Sequence, residues 1–247
     1  MCKIKKMLFM AGGLITLILS SLSYSQTDDH LKDVLEKVER SIYPENVVYV
    51  AEMTIDRPKK KYLKKIKVYL KGNDKSLVEF LEPAQERGLK VLSIDKNIWM
   101  FLPSVEKVIR LSGKMSITGG DFAYDDILRV KYGIDYSPVS LSMEGQHHLL
   151  ALKAKTNRAS YKEILIRFDP ENHLPVSQGF YVSGGLLLKN LTYSAPTLFQ
   201  GRSIPSQFLM TLANSTDYRT TLHIIDYNDT HEIPERIFTQ EYLKKGL

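Results

Sequence analysis

The chain has 247 residues, 43% of them hydrophobic and 25% charged, which excludes a disordered or fibrous protein. Its 34 basic and 28 acidic residues leave a net charge of +6, a balance that first points toward nucleic acid or an anionic surface. The single cysteine, Cys2, excludes an intrachain disulfide and a cysteine-only metal site.

The first segment changes that balance. Lys3, Lys5 and Lys6 precede an uncharged, mostly apolar run over 7–19, and Ser23 and Ser25 follow as small residues. This order reads as a secretory signal peptide over 1–25. The run is shorter than the roughly 20 residues a membrane-spanning helix needs, so an uncleaved inner-membrane anchor is the weaker alternative. Residues 26–247 then form one domain with 31 basic and 28 acidic residues, a net +3, and no cysteine. An exported chain of this composition depends on its own core and gives nucleic acid no place as a partner.

Residues 28–43 predict an amphipathic helix. Leu31, Val34, Leu35, Val38 and Ile42 share one face, Thr27 or Asp28 can cap the start, and Pro44 follows the end. From 46 the period changes to two. Val47, Tyr49, Ala51, Met53 and Ile55 alternate with residues that become polar, and Arg57-Pro58 turns the chain. Ile66, Val68 and Leu70 alternate with lysines. Further strands are expected over 77–81, 89–94, 98–102 and 105–111, broken by Glu82-Pro83, Gly88 and Asp95-Lys96-Asn97. A helix is expected over 121–130, with Asp121 as its cap and Asp125 and Asp126 near its positive end. Strands resume over 149–154, 163–168, 176–182, 186–193, 207–213 and 220–227, and 233–243 suggests a short terminal helix. About eleven or twelve short strands with short turns make an antiparallel meander. A sheet of that size curls toward a barrel, and the two helices then lie across its open mouth.

Few segments carry chemistry. Lys59, Lys60, Lys61, Lys64, Lys65, Lys67 and Lys71 crowd one hairpin. They read either as a docking surface for an acidic partner or membrane, or as a solvated sheet edge. His147, His148, His173, His223 and His231 lack metal-ligand spacing, so no metal is expected. Ser104 to Lys107 matches S-x-x-K, but it follows Pro103 in a hairpin and has no helix to bring Lys to Ser. Asp121, Asp125 and Asp126 read as a helix start before they read as paired catalytic carboxylates. Sequons at Asn190, Asn214 and Asn228 matter only in a eukaryotic secretory pathway. Ile98–Leu102 is apolar on both faces, as in a strand covered on one side and facing a cavity on the other.

Three stretches together resemble the LolA-like outer-membrane lipoprotein-sorting proteins, in their branch associated with RND-type exporters. They are Glu82-Pro83-Ala84 with Arg87-Gly88-Leu89, then Trp99-Met100-Phe101-Leu102-Pro103 with Arg110, then Gly119-Gly120-Asp121-Phe122-Ala123-Tyr124-Asp125-Asp126. With Ile233-Pro234, Phe238 and Leu243 they span most of the chain beyond the signal. The resemblance implies a mainly β, α+β fold: an incomplete antiparallel barrel with a helical lid over an apolar cavity. It implies a periplasmic carrier or receptor for acyl chains of lipoproteins or lipids, without catalysis or cofactor. An inner-membrane transporter of ABC or RND type and an outer-membrane acceptor are the implied partners. On this reading Tyr49, Met53, Phe80, Trp99 and Phe101 line the cavity. The rival reading is an exporter's periplasmic sensor or scaffold that docks a protein through Lys64, Lys65 and Lys67.

Overall fold

A computed structural model describes residues 28–245 except 73, 96, 129–131, 158, 216 and 231. The expected signal peptide over 1–25 lies outside the described residues. Helix α1 covers residues 28–42, and Leu31, Val34, Leu35, Val38 and Ile42 are all buried, so the predicted apolar stripe is the packed face. Its solvent face carries the pairs Lys32–Asp28, Lys37–Asp33 and Arg40–Glu36 at one-turn spacing.

Thirteen strands follow among the described residues. The first six are β1 Asn46–Arg57, β2 Lys60–Lys71, β3 Lys75–Glu82, β4 Lys90–Ile94, β5 Asn97–Leu102 and β6 Lys107–Leu111. Helix α2, Tyr124–Leu128, interrupts them. The remaining seven are β7 Tyr136–Glu144, β8 His147–Ala154, β9 Glu163–Phe168, β10 Pro175–Val182, β11 Leu186–Phe199, β12 Arg202–Leu212 and β13 Arg219–Asn228. A one-turn 3-10 segment, Glu235–Ile237, and helix α3, Gln240–Lys245, are the last of the described elements.

Every neighbouring pair is antiparallel, in the order β6-β5-β4-β3-β2-β1-β13-β12-β11-β10-β9-β8-β7. The sheet therefore has two meanders joined at β1–β13, with β6 and β7 as free edges; it is an open half-barrel rather than a closed one. Apolar side chains from all thirteen strands meet in one core with α1 and α2, which a flat sheet of this width cannot achieve. Thirteen strands at about 4.8 Å spacing span nearly 60 Å, so convergence on one core requires strong curvature.

This topology explains the lid. Residues 112–135 must carry the chain from one sheet edge to the other. The described stretch 112–128 crosses the concave face, and contacts with β3, β1, β13 and β11 mark the path: Ser76 donates to the Leu128 carbonyl at 3.0 Å, Arg57 and Thr220 reach Asp121, and Lys189 reaches Asp126. Helix α2 is part of that crossing.

Several boundaries differ from expectation. Strand β2 begins at Lys60, because β1 and β2 stay in register as far as Arg57↔Lys60. Strand β7 escapes a pattern search: it is an edge strand, mostly exposed, with a register shift beside Pro138. Strands β11 and β12 run on to Phe199 and back from Arg202. Beyond Ser194 and Gln207 they pair only with each other, so Pro196 opposite Pro205 breaks no ladder with a third strand. Asp121 does not cap α2. Its carboxylate is occupied by Arg57 and Thr220, and Asp126 instead accepts from the Ala123 N–H at 2.7 Å, reaching back as the second half of a capping box does.

Among the described residues a second cluster covers part of the outer face of the sheet. Ile233, Ile237, Phe238 and Leu243 pack on Val48, Leu77 and Leu92, with Trp99 and Phe101 beside them. Lys71 donates to the Ile233 carbonyl at 2.7 Å, and Tyr242 donates to Glu79 at 3.1 Å. The C-terminal segment thus makes a second, smaller core on the convex side.

Candidate functional site

Beneath α1 and α2 the concave face leaves a small chamber. Val38, Glu39 and Ile42 of α1 form one wall and Phe122, Asp126 and Ile127 another. Tyr49, Gln178, Leu191, Tyr193, Phe208 and Leu222 project from the sheet, and Tyr43 and Tyr132 close the ends. The free space is about 30 Å³, room for roughly two water molecules. Pockets that hold lipid-sized ligands run to roughly 300–1,000 Å³, so the chamber as it stands is far smaller than such a ligand needs.

The two roof elements are held by different forces. Helix α2 is tied by a buried polar network. Lys189 on β11 faces inward and pairs with Asp126 at 2.5 Å, both side chains being almost wholly buried. Tyr161 donates to the other oxygen of Asp126 at 2.6 Å. The Lys189 ammonium also sits 5.2 Å from the Tyr161 ring and reaches the Asp121 carbonyl. Next to it, Arg57 holds Asp121 through both terminal nitrogens at 3.1 and 3.2 Å, and Thr220 donates to the same carboxylate at 2.7 Å. Ser160 donates to Asp125, and the Asp125 carboxylate lies so close to Gly113 that a Cβ there would meet it at 1.9 Å. A side chain at 113 would have to displace the Asp125 carboxylate.

Helix α1 is held mainly by its five buried apolar side chains. Its polar ties gather at the C-terminal end: Tyr227 donates to the Ile42 carbonyl at 3.0 Å, and Arg202 donates to the carbonyls of Arg40 and Ser41. Arg202 thus caps the negative end of α1 while pairing with Asp229 at 3.4 Å.

The chamber is less apolar than expected. Tyr132 donates to Gln178 at 2.7 Å. Among the described residues no protein group accepts from the hydroxyls of Tyr43, Tyr49 or Tyr193, and none of the three is sealed off from free space. Burial pushes all three phenols above their ordinary range, and the Tyr43 hydroxyl also feels those of Tyr49, Tyr193 and Tyr132. They are neutral donors at any physiological pH. A buried hydroxyl left without a partner costs about 1–3 kcal/mol, so water or a ligand must satisfy them.

The residues expected from sequence divide. Tyr49 lines the chamber. Met53 and Phe80 lie in the same concave core but do not border the free space. Trp99 and Phe101 face the other way, because Ile98 and Met100 take the concave positions of β5 and strand alternation sends their neighbours outward to the C-terminal segment. Lys64 is not available for docking: it points inward with Ile66 and Val68 and is bonded to Glu86, with its side chain only 5% exposed. Lys65 and Lys67 are partly exposed on the outer face; Lys65 stands in register between Glu52 and Glu82, and Lys67 lies 5.1 Å from the Tyr69 ring. Lys189, Tyr43 and Tyr193 are not among the residues expected from sequence. A lone lysine inside the apolar run Leu186-Leu187-Leu188-Lys189-Asn190-Leu191 was the signal for the first.

Comparison with solved structures places this geometry. The crystal structure of a LolA superfamily protein from Nitrosomonas europaea is 28% identical, with 85% of this chain and 98% of that chain covered and a TM-score of 0.76. A family model described as "Uncharacterized protein" matches residues 72–245. The chain belongs to that family, and it is LolA-like. A putative outer membrane lipoprotein-sorting protein domain from Vibrio parahaemolyticus is 20% identical, covering 86% of this chain and 97% of that one at a TM-score of 0.73. A DUF1329 family protein from Desulfovibrio piger is 19% identical, covering 87% and 98% at 0.77. Those two share the LolA-like fold over nearly their whole length. Comparison with curated proteins gives no match.

Proposed function

We propose that this LolA-like protein is a periplasmic carrier or receptor that takes a lipid, or the acylated end of a lipoprotein, under α1 and hands it on without chemical change. The observation that carries the reading is the closed chamber with two unlike walls: α2 locked to the sheet by buried ion pairs, and α1 resting on apolar contacts with its polar ties at one end. Such a helix can lift about its C-terminal end while the rest of the half-barrel keeps its shape. Each methylene moved from water into the opened chamber contributes about 0.8 kcal/mol, which offsets the separation of α1 from the sheet. Closing again expels the ligand, so loading and release use one motion.

Three further points support the reading. The carboxylates that a hydrolase would need are engaged as structural partners of Arg57, Lys189 and Ser160. No described helix is long and apolar enough to cross a membrane. The order of charge and apolarity over 1–25 is that of an export signal. Delivery then requires a donor at the inner membrane and an acceptor at the outer membrane. The β1–β2 hairpin end, where Lys59, Lys60 and Lys61 are exposed beside Leu63, is the surface we assign to one of them.

The decisive experiment is native mass spectrometry of the protein purified from periplasm, with a photo-crosslinking side chain at position 49 or at position 101. Lipid or lipopeptide adducts at 49 and none at 101 are expected. Adducts at 101 alone, or a protein that carries no lipid under any loading condition, would refute the carrier.

A further inference from the structure

The polar character of the chamber narrows what it accepts. Four tyrosines, Tyr43, Tyr49, Tyr132 and Tyr193, line a space that also touches Gln178, and burial with mutual influence marks the Tyr43 hydroxyl as near those of the other three. The rings are close: Tyr43 and Tyr49 have centroids 6.4 Å apart, and Tyr132 hydrogen-bonds Gln178 across the space. A hydrocarbon chain pushed into this space displaces its water and leaves the hydroxyls of Tyr43, Tyr49 and Tyr193 with nothing to donate to. A ligand that brings its own acceptor oxygens does not.

The charge in the chamber is equally selective. Two carboxylates border it, Asp126 and Glu39. Asp126 is balanced by Lys189 on its far side, and Glu39 accepts from the Gly133 N–H at 3.0 Å. No lysine or arginine side chain borders the space among the described residues, and Lys189 is committed to Asp126. An ionised phosphate or carboxylate would enter a site lined by neutral donors and carboxylates, with no lysine or arginine among the described lining residues, and would leave its hydration behind.

We propose that the chamber holds a neutral, oxygen-bearing head group of an amphiphile — an ester, amide or hydroxyl — donated to by Tyr43, Tyr49 and Tyr193, with the hydrocarbon portion against Val38 and Ile42 of α1. The inference rests on the carrier reading and sharpens it. Ester and amide carbonyls of an acylated lipoprotein terminus and the hydroxyls of a neutral lipid share this chemistry. Specificity comes from the cost of unpaired donors, as in sites that reject an analogue lacking the one group they were built to bond.

Three probes of one chain length separate the possibilities: monooleoylglycerol, octadecene and oleoyl lysophosphatidic acid, each titrated against the whole exported protein by displacement of a fluorescent fatty amide. Wild-type protein should bind monooleoylglycerol at least about tenfold tighter than the other two, a factor corresponding to one satisfied hydroxyl. A Tyr43→Phe, Tyr49→Phe, Tyr193→Phe variant keeps the rings and should lose that preference while octadecene binds as well or better. Equal binding of all three by the wild type, or preference for the hydrocarbon or the phosphate, overturns the head-group inference and leaves the carrier standing. No binding of any probe overturns both. The wild-type comparison decides without the variant, should the variant fail to fold.

Discussion

Lys189 is where a single side chain governs the roof. It is a cation on an inward strand position, and it is tolerated because Asp126 accepts its charge and the rings of Tyr161 and Phe180 lie 5.2 and 5.7 Å from its ammonium. Lys189→Ala leaves Asp126 buried without its partner, and a loss of about 3–5 kcal/mol is expected in urea unfolding. Lys189→Met combined with Asp126→Asn should recover most of it. A loss below about 1 kcal/mol in the single variant would show that α2 is held by something else. The tyrosines make a second prediction. Burial raises Tyr124 and Tyr136 to about 12, above their ordinary value of 10. The folded chain therefore keeps protons that the unfolded chain gives up. The stability this represents is complete below pH 10 and is lost as pH rises from 10 toward 12. Unfolding midpoints in denaturant, followed with tyrosinate absorbance, should fall across that window; a midpoint that stays level there contradicts the assignment.

At the scale of elements, α1 and α3 are both amphipathic covers but differ in how they are fastened. Arg202→Ala removes the cap on the last carbonyls of α1, a loss of about 1–2 kcal/mol. Amide exchange over residues 31–42 should then speed up well before the β1 and β13 amides respond. If α1 and the sheet exchange together, α1 is not a separately opening lid. Helix α3 carries different consequences. Ending the chain at 232 uncovers Leu77, Leu92, Trp99 and Phe101 on the convex face, and the truncated protein should expose enough apolar surface to self-associate, as sedimentation would show. Ligand binding in whatever fraction stays monomeric should persist, because the chamber is on the other side of the sheet.

Over the whole molecule, the two proposed activities occupy separate places. The chamber we assign to the ligand is on the concave side, whereas Lys59, Lys60 and Lys61 stand at a hairpin end. Reversing those three charges should leave probe affinity within about twofold and abolish transfer to or from membranes bearing the partner proteins. If affinity falls with transfer, the hairpin end and the chamber are coupled.

The period-two alternation of β1 already names which side chains face inward, since Val47, Tyr49, Ala51, Met53 and Ile55 are all buried in the concave core. The stripe on α1 likewise names its packed face, and both follow from local geometry that a strand or helix imposes on any chain. The same local rule says that Trp99 and Ile98 face apart; it does not say which of them faces the chamber when both sides of a strand are apolar. That was decided by the C-terminal segment folding back from more than a hundred residues away to cover the convex side. Lys64 and Lys65 pose the same problem: neighbours in a basic run, one is sealed against Glu86 and the other stands at the surface. Length, pattern and motifs by themselves determined a mainly β half-barrel with helices across it. Only the tertiary structure decided where the charges are neutralised and which tyrosines gather around the chamber, because pairing depends on strands brought side by side at distances along the chain that no local pattern encodes.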